Sequence, residues 1–183
     1  MRRLDLGVYL GAVACLTAAP AAAHVVPSDR AYEGDWYVVD DTDNNTGERK
    51  VYALQLHLKR NDYVTLTMRC TDGKPIFFID WDGIAFPDKS VITIAPEGDA
   101  GSGPKEAQYV FEKSTETTER GLRASSEISA SIIAAIGQAK YVAITAHLPS
   151  GGRTVDVEVT GTQGAWTRVS RHCPVRLMQR PPL

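Results

Sequence analysis

Tyr63-Val64-Thr65-Leu66-Thr67-Met68-Arg69-Cys70 is the stretch that decides the fold. Val64, Leu66, Met68 and Cys70 share one side of it, and Tyr63, Thr65, Thr67 and Arg69 share the other. That period of two is what a half-buried strand requires, and it aims the Cys70 thiol at a core. Beyond the first 23 residues the only other cysteine is Cys173, near the C-terminus. A Cys70–Cys173 bond leaves 102 residues between the partners and so ties almost the whole chain into one loop. Chain entropy assigns a closure of that length roughly 4–5 kcal/mol.

The N-terminus supplies the oxidising compartment that such a bond needs. Residues 1–23 read as a secretory signal: Arg2 and Arg3 give the positive start, Leu6 to Leu16 the apolar run, and Ala21-Ala22-Ala23 the small-residue cleavage site. The apolar run is shorter than the ~20 residues of a membrane-spanning helix. Cys15 sits inside it, but Ala12 stands where a lipoprotein signal favours leucine. Cleavage removes Cys15 and leaves an even pair of cysteines in a periplasmic or secreted chain, where disulfides persist. The 160 residues that remain suit one domain, 24–173, with 174–183 as a proline- and arginine-rich tail. With Arg2, Arg3 and Asp5 gone, 18 basic residues face 21 acidic ones. A net charge near −3 lacks the basic surplus of a nucleic-acid binder.

Outward from the Cys70 strand, the pattern is mostly of strands. His24 to Gly34 reads as a loose lead-in, and Asp35 to Asp40 as a first short strand. Lys50 to Leu58 alternates with Tyr52, Leu54, Leu56 and Leu58 on its apolar face and His57 on the wetter one. Arg60-Asn61-Asp62 turns it into the Cys70 strand as an antiparallel hairpin. Ile76 to Trp81, Ser90 to Ala95, Ala107 to Phe111 and a short Gly121 to Ala124 follow. Ile128, Ile132, Ile133 and Ile136 then change the period to that of a helix, capped by Ser125 or Ser126 and ended by Gly137. Tyr141 to Leu148 and Thr154 to Thr160 flank Pro149-Ser150-Gly151-Gly152 as a second hairpin. Gly161 to His172 reads as a short helix carrying Trp166 and Val169 inward and delivering Cys173. The fold expected is α+β and β-dominated: an antiparallel sheet or sandwich with an amphipathic helix packed on it and a disulfide tying the C-terminus.

The catalytic and metal patterns fail one by one. Asp40 to Glu48 is rich in calcium-type oxygens, yet Thr46 and Tyr52 stand where a calcium loop starting at Asp41 needs glycine and glutamate, and the composition suits a turn. Asp80 and Asp82 flank Trp81 as paired carboxylates, but acid–base work needs a cleft between them. Ser150 lies outside any Gly-x-Ser-x-Gly elbow. His172 and Cys173 are adjacent in sequence, which seldom gives a base–nucleophile geometry, and a disulfide occupies the sulfur. The glycines of 96–104 lack the strand-to-helix context of a phosphate cradle. No catalytic residue, metal ligand or cofactor is expected.

Several features in order resemble one family: an early Trp36 strand, Thr42-Asp43, the Met68-Arg69-Cys70 strand end, and Ile76 to Trp81. A helix before a hydrophobic strand follows, and then the closing Val157-Glu158-Val159-Thr160-Gly161 … Cys173. This looks like the VasI/TagO family of type VI secretion-associated periplasmic proteins, over most of residues 35–173. Phe111-Glu112-Lys113-Ser114 stands where that family's pattern has a tryptophan-containing segment. The resemblance implies an accessory or assembly role exercised through protein contacts, with an envelope or secretion-apparatus protein as partner. Candidate contact residues are Trp36, Tyr63, Thr65, Arg69 and Trp81. A hydrolase of envelope polymers using Asp80, Asp82 or His57 is the second reading, and an inhibitor or small-ligand binder sensed through Trp36 or Trp81 the third.

Overall fold

The computed structural model describes residues 29–42, 47, 49–59, 62–97, 106–115 and 121–173. The signal-like segment, Cys15, most of the Asp-Asn turn and the tail lie outside these residues. In chain order the elements are β1 (Asp29–Glu33), β2 (Trp36–Thr42), β3 (Arg49–Lys59), β4 (Asp62–Thr71), β5 (Lys74–Trp81), β6 (Lys89–Glu97), β7 (Ala107–Lys113) and β8 (Leu122–Arg123). Helix α1 (Ser126–Ile136), strands β9 (Tyr141–Leu148) and β10 (Gly151–Glu158) and helix α2 (Thr162–Arg171) complete the domain. The strands form one antiparallel sheet in the order β1-β2-β3-β4-β5-β8-β7-β6-β9-β10, with α1 lying on β5 and α2 across β1 to β4. Cys70 at the end of β4 is bonded to Cys173 just past α2.

Strand β4 behaves as its alternation demands: Val64, Leu66 and Met68 are buried, while Tyr63 is exposed. The register then overturns the face expected of β3. Ala53 lies opposite Met68, Gln55 opposite Leu66 and His57 opposite Val64, so these residues point inward. Tyr52, Leu54, Leu56 and Leu58 go to the other side, leaving Leu56 and Leu58 exposed. The count of large apolar side chains favoured the opposite choice. Helix α2 packs against β3, and Ala53 is fully buried on its inner side. A one-residue difference in pairing exchanges the two faces of a whole strand.

The lead-in is also a strand. Glu33 pairs with Trp36 around a two-residue Gly34-Asp35 loop, and the Tyr32 and Tyr37 rings meet 5.1 Å apart on the outer face. This loop abuts the end of β10. Asp35 N–H donates to Thr160 O and Thr160 N–H to Asp35 Oδ2, both at 2.9 Å. Gly34 and Gly161 are in the left-handed region, and their backbones approach so closely that a Cβ on Gly161 would sit 2.1 Å from Glu33 O. Trp36, fully buried, donates its indole N–H to Thr162 Oγ1 at 2.9 Å. The two ends of the sheet's path are thereby joined around the core.

Helix α1 follows its sequence signals: Ser125 Oγ accepts from Ile128 N–H, and Ile132, Ile133 and Ile136 are buried. It also repairs a gap in the sheet. Strand β8 is only two residues long, so the Phe77 N–H has no strand partner and donates instead to the buried Ser129 Oγ at 2.9 Å. In α2, Ala165 and Val169 face the core, and Arg168 reaches Glu33 on β1 at 3.2 Å.

Candidate functional site

Cross-strand register assembles an outer face on β1 to β5. One row reads Tyr32, Tyr37, Leu54, Thr67 and Phe78 across five strands. The next holds Leu56, Thr65 and Asp80, and the next Leu58 and Tyr63. Neither helix covers it, since both lie on the inner side. Tyr32 is 75 %, Leu58 66 %, Leu56 55 % and Tyr63 50 % exposed, so four large hydrophobic side chains stand in water on neighbouring strands. Scattered surface hydrophobics need no explanation, but a contiguous group marks an interaction surface. Phe78, in the same row, is only 4 % exposed, and the Arg69 guanidinium lies 4.8 Å from its ring centroid. Arg69 is thus fixed over an aromatic face, an arrangement that favours a desolvated cation.

The sequence-derived contact residues divide between the two faces. Tyr63, Thr65 and Arg69 come together on the outer one. Trp36 and Trp81 are at 0 % and 1 % exposure on the inner one, where Trp36 anchors α2 and Trp81 lies 5.5 Å from the Arg153 guanidinium. What sequence reasoning missed is the contribution of Tyr32, Leu56 and Leu58. The signal was present in the alternation of β3, but its sign depends on the pairing with β4.

The acid–base candidates are not assembled into one group. Asp80 is half-buried on the outer face opposite Thr65, whereas His57 projects from the inner side of β3. Asp82 lies beyond the end of β5 in an exposed turn, where its N–H bonds Tyr63 O at 2.9 Å. Asp40, at the start of the calcium-like stretch, is held through both oxygens by Arg49, with 2.7 Å from Nε to Oδ1. The hydrogen bonds from Arg49 hold its carboxyl below the usual carboxylate range. Among the described residues no three His, Cys, Asp or Glu side chains are placed to hold a metal ion.

Two further polar groupings were not legible from spacing. Thr93 Oγ1 and His147 Nε2 are 2.7 Å apart on the outer side of β6 and β9, but among the described residues no carboxylate orients the imidazole as a base would need. A cleft of about 370 Å³ lies at the β10 edge, lined by His57, Glu97, Tyr141, Asp156 and Glu158. These five come from β3, β6, β9 and β10, and only the tertiary fold brings them together.

Compared with known proteins, no family model, no curated protein and no solved structure matches this chain. Over the described residues the chain is a disulfide-tied, ten-stranded antiparallel sheet with Tyr32, Leu56, Leu58 and Tyr63 exposed on the face that neither described helix covers.

Proposed function

We propose that this chain is a non-enzymatic, exported envelope protein that works by binding another protein, as an accessory or assembly module linked to type VI secretion. The observation that carries the binding role is the group Tyr32, Leu56, Leu58 and Tyr63 on the outer face. Burying one such side chain is worth about 1.5–3 kcal/mol, so a partner that covers the group gains affinity from apolar contact. Thr65, Thr67 and Arg69 interleave with it and supply the polar contacts that fix orientation. Export and the secretion link rest on the signal-like N-terminus and on the family resemblance of residues 35–173.

The test is site-specific photocrosslinking in the native envelope. A crosslinker at position 56 or 58 captures a secretion-apparatus subunit, and one at exposed Glu127 on α1 does not. A Leu56→Asp/Leu58→Asp variant that folds normally loses that capture. Equal capture from both positions, or capture unaffected by the double substitution, refutes the role given to this face. Capture of peptidoglycan enzymes instead supports binding and removes the secretion link.

A further inference from the structure

Helix α2 is fastened unevenly along its length. Its first turn is locked into the core: Thr162 is fully buried, and its Oγ1 donates to Val159 O at 2.7 Å and accepts from the Trp36 indole at 2.9 Å. Buried Ala165 and the Arg168–Glu33 pair hold its middle, and Val169 is its last buried residue. Ser170, Arg171 and His172 are exposed. Among the described residues, the Ser170 hydroxyl and the His172 and Cys173 N–H groups bond only to carbonyls of the same helix end. Two links tie this turn to the sheet. One is the covalent bond from Cys173 to Cys70, and the other an attraction between His172 and the Asp40 carboxylate, which Arg49 already holds through both oxygens. A helix end with few apolar contacts opens at low free energy, so the disulfide is what keeps this one docked.

The bond lies at the rim of the core. Cys70 and Cys173 are both half-buried, with Cys70 held in β4 opposite Pro75 and Cys173 ending a run of three exposed residues. Exchange with an outside thiol depends on such access, and the positive charge of Arg171 attracts an anionic thiolate to this turn. We propose that Cys70–Cys173 is a redox latch: a dithiol opens it in the folded protein and frees the chain from Ser170 to Cys173, while the sheet stays intact. One thiolate of the dithiol attacks Cys173 Sγ, forms a mixed disulfide and expels Cys70 as a thiolate. The second sulfur of the dithiol, deprotonated, then closes onto the first and releases the Cys173 thiolate. Two electrons pass from the dithiol to the cystine, and its two protons end on the two cysteines. In an oxidising compartment the latch is closed by default and opens only to a dedicated dithiol. This device stands independently of the outer face.

The experiment exposes the oxidised full chain to increasing dithiothreitol, quenches with an alkylating agent, and follows the Cys70 and Cys173 peptides by mass spectrometry. Opening in the folded state gives a rate proportional to dithiol, and Gly83→Ala leaves that rate within about twofold. Gly83 has a positive φ and open space around it in the turn beyond β5, so this variant lowers stability without touching the latch. Reduction that waits for global unfolding is raised about 5- to 30-fold by the same variant, the factor that a loss of this size produces in the unfolded population. That acceleration, or a rate that levels off as dithiol increases, overturns the proposal. Amide NMR of the reduced chain supplies a second reading. Shifts and loss of order are expected at 169–173 and 69–71, with 54–58 unmoved, and oxidised glutathione restores the native spectrum. Shifts spread over the whole sheet, an unchanged last turn of α2, or failure to recover the native spectrum each overturn it.

Discussion

Reduction of the Cys70–Cys173 bond is the perturbation whose magnitude follows most directly from the structure. The partners are 103 residues apart in sequence, and their Cα atoms lie 5.2 Å apart in the fold. Chain-entropy reasoning for a loop of that length gives about 4.7 kcal/mol of stabilisation at 25 °C, nearly all of it through the unfolded chain. For a domain of this size that corresponds to a fall in Tm of about 10–20 °C. The assay is urea unfolding of the oxidised protein beside the same protein in excess reductant, followed by tryptophan fluorescence. Trp36 and Trp81 are both buried and report on the core. Two results are expected together. The midpoint falls, and the m value rises, because the reduced unfolded chain is no longer held compact by a loop around most of its length. The reduced protein keeps its sheet, since β4 is paired on both sides along its whole length independently of the bond. A loss below about 1 kcal/mol with an unchanged m value refutes the argument, since both quantities depend on the same loop.

Three other outcomes are expected. The Asp40 carboxyl is lowered chiefly by hydrogen bonds from Arg49, so its contribution is present above the ordinary carboxylate pKa and is lost as pH falls through the depressed one. Urea midpoints measured from neutral pH into the acid range therefore fall less steeply for Asp40→Asn than for the natural chain, and parallel curves would contradict the pairing. Gly161→Ala places a methyl 2.1 Å from Glu33 O at a positive φ and costs more than about 3 kcal/mol, whereas Gly83→Ala, also at positive φ but with open space around it, costs about 1–2 kcal/mol. Equal thermal shifts for the two would contradict the backbone contact between Gly34 and Gly161. Leu58→Lys changes stability by less than about 0.5 kcal/mol, while Ala53→Lys, fully buried opposite Met68, prevents folding; circular dichroism melts read both.

Much of the chain was legible in order. The Cys70 strand, the isoleucine-striped helix with its serine cap and the short helix before Cys173 were each carried by local pattern, and the disulfide followed from the even pair of cysteines left beyond residue 23. A period of two or 3.6, a capping hydroxyl or a glycine acts within a few residues and needs no distant partner. Strand β1 escaped because nothing in Asp29 to Glu33 alternates clearly; it forms because Gly34 reverses the chain and Tyr32 finds Tyr37. The candidate sites were half legible. Tyr63, Thr65 and Arg69 were placed on one face by alternation, but their neighbours Leu56 and Leu58 were assigned to the core.

The sequence by itself determined the β-dominated class, the two helices and the inward direction of Cys70, all properties of short windows whose side chains choose a side of their own element. Only the tertiary structure decided which side of β3 is the inside, since that choice is made by its register against β4. It alone gathered His57, Glu97, Tyr141, Asp156 and Glu158 around one cleft. Periodicity sorts residues into faces, whereas pairing between distant strands decides which faces meet.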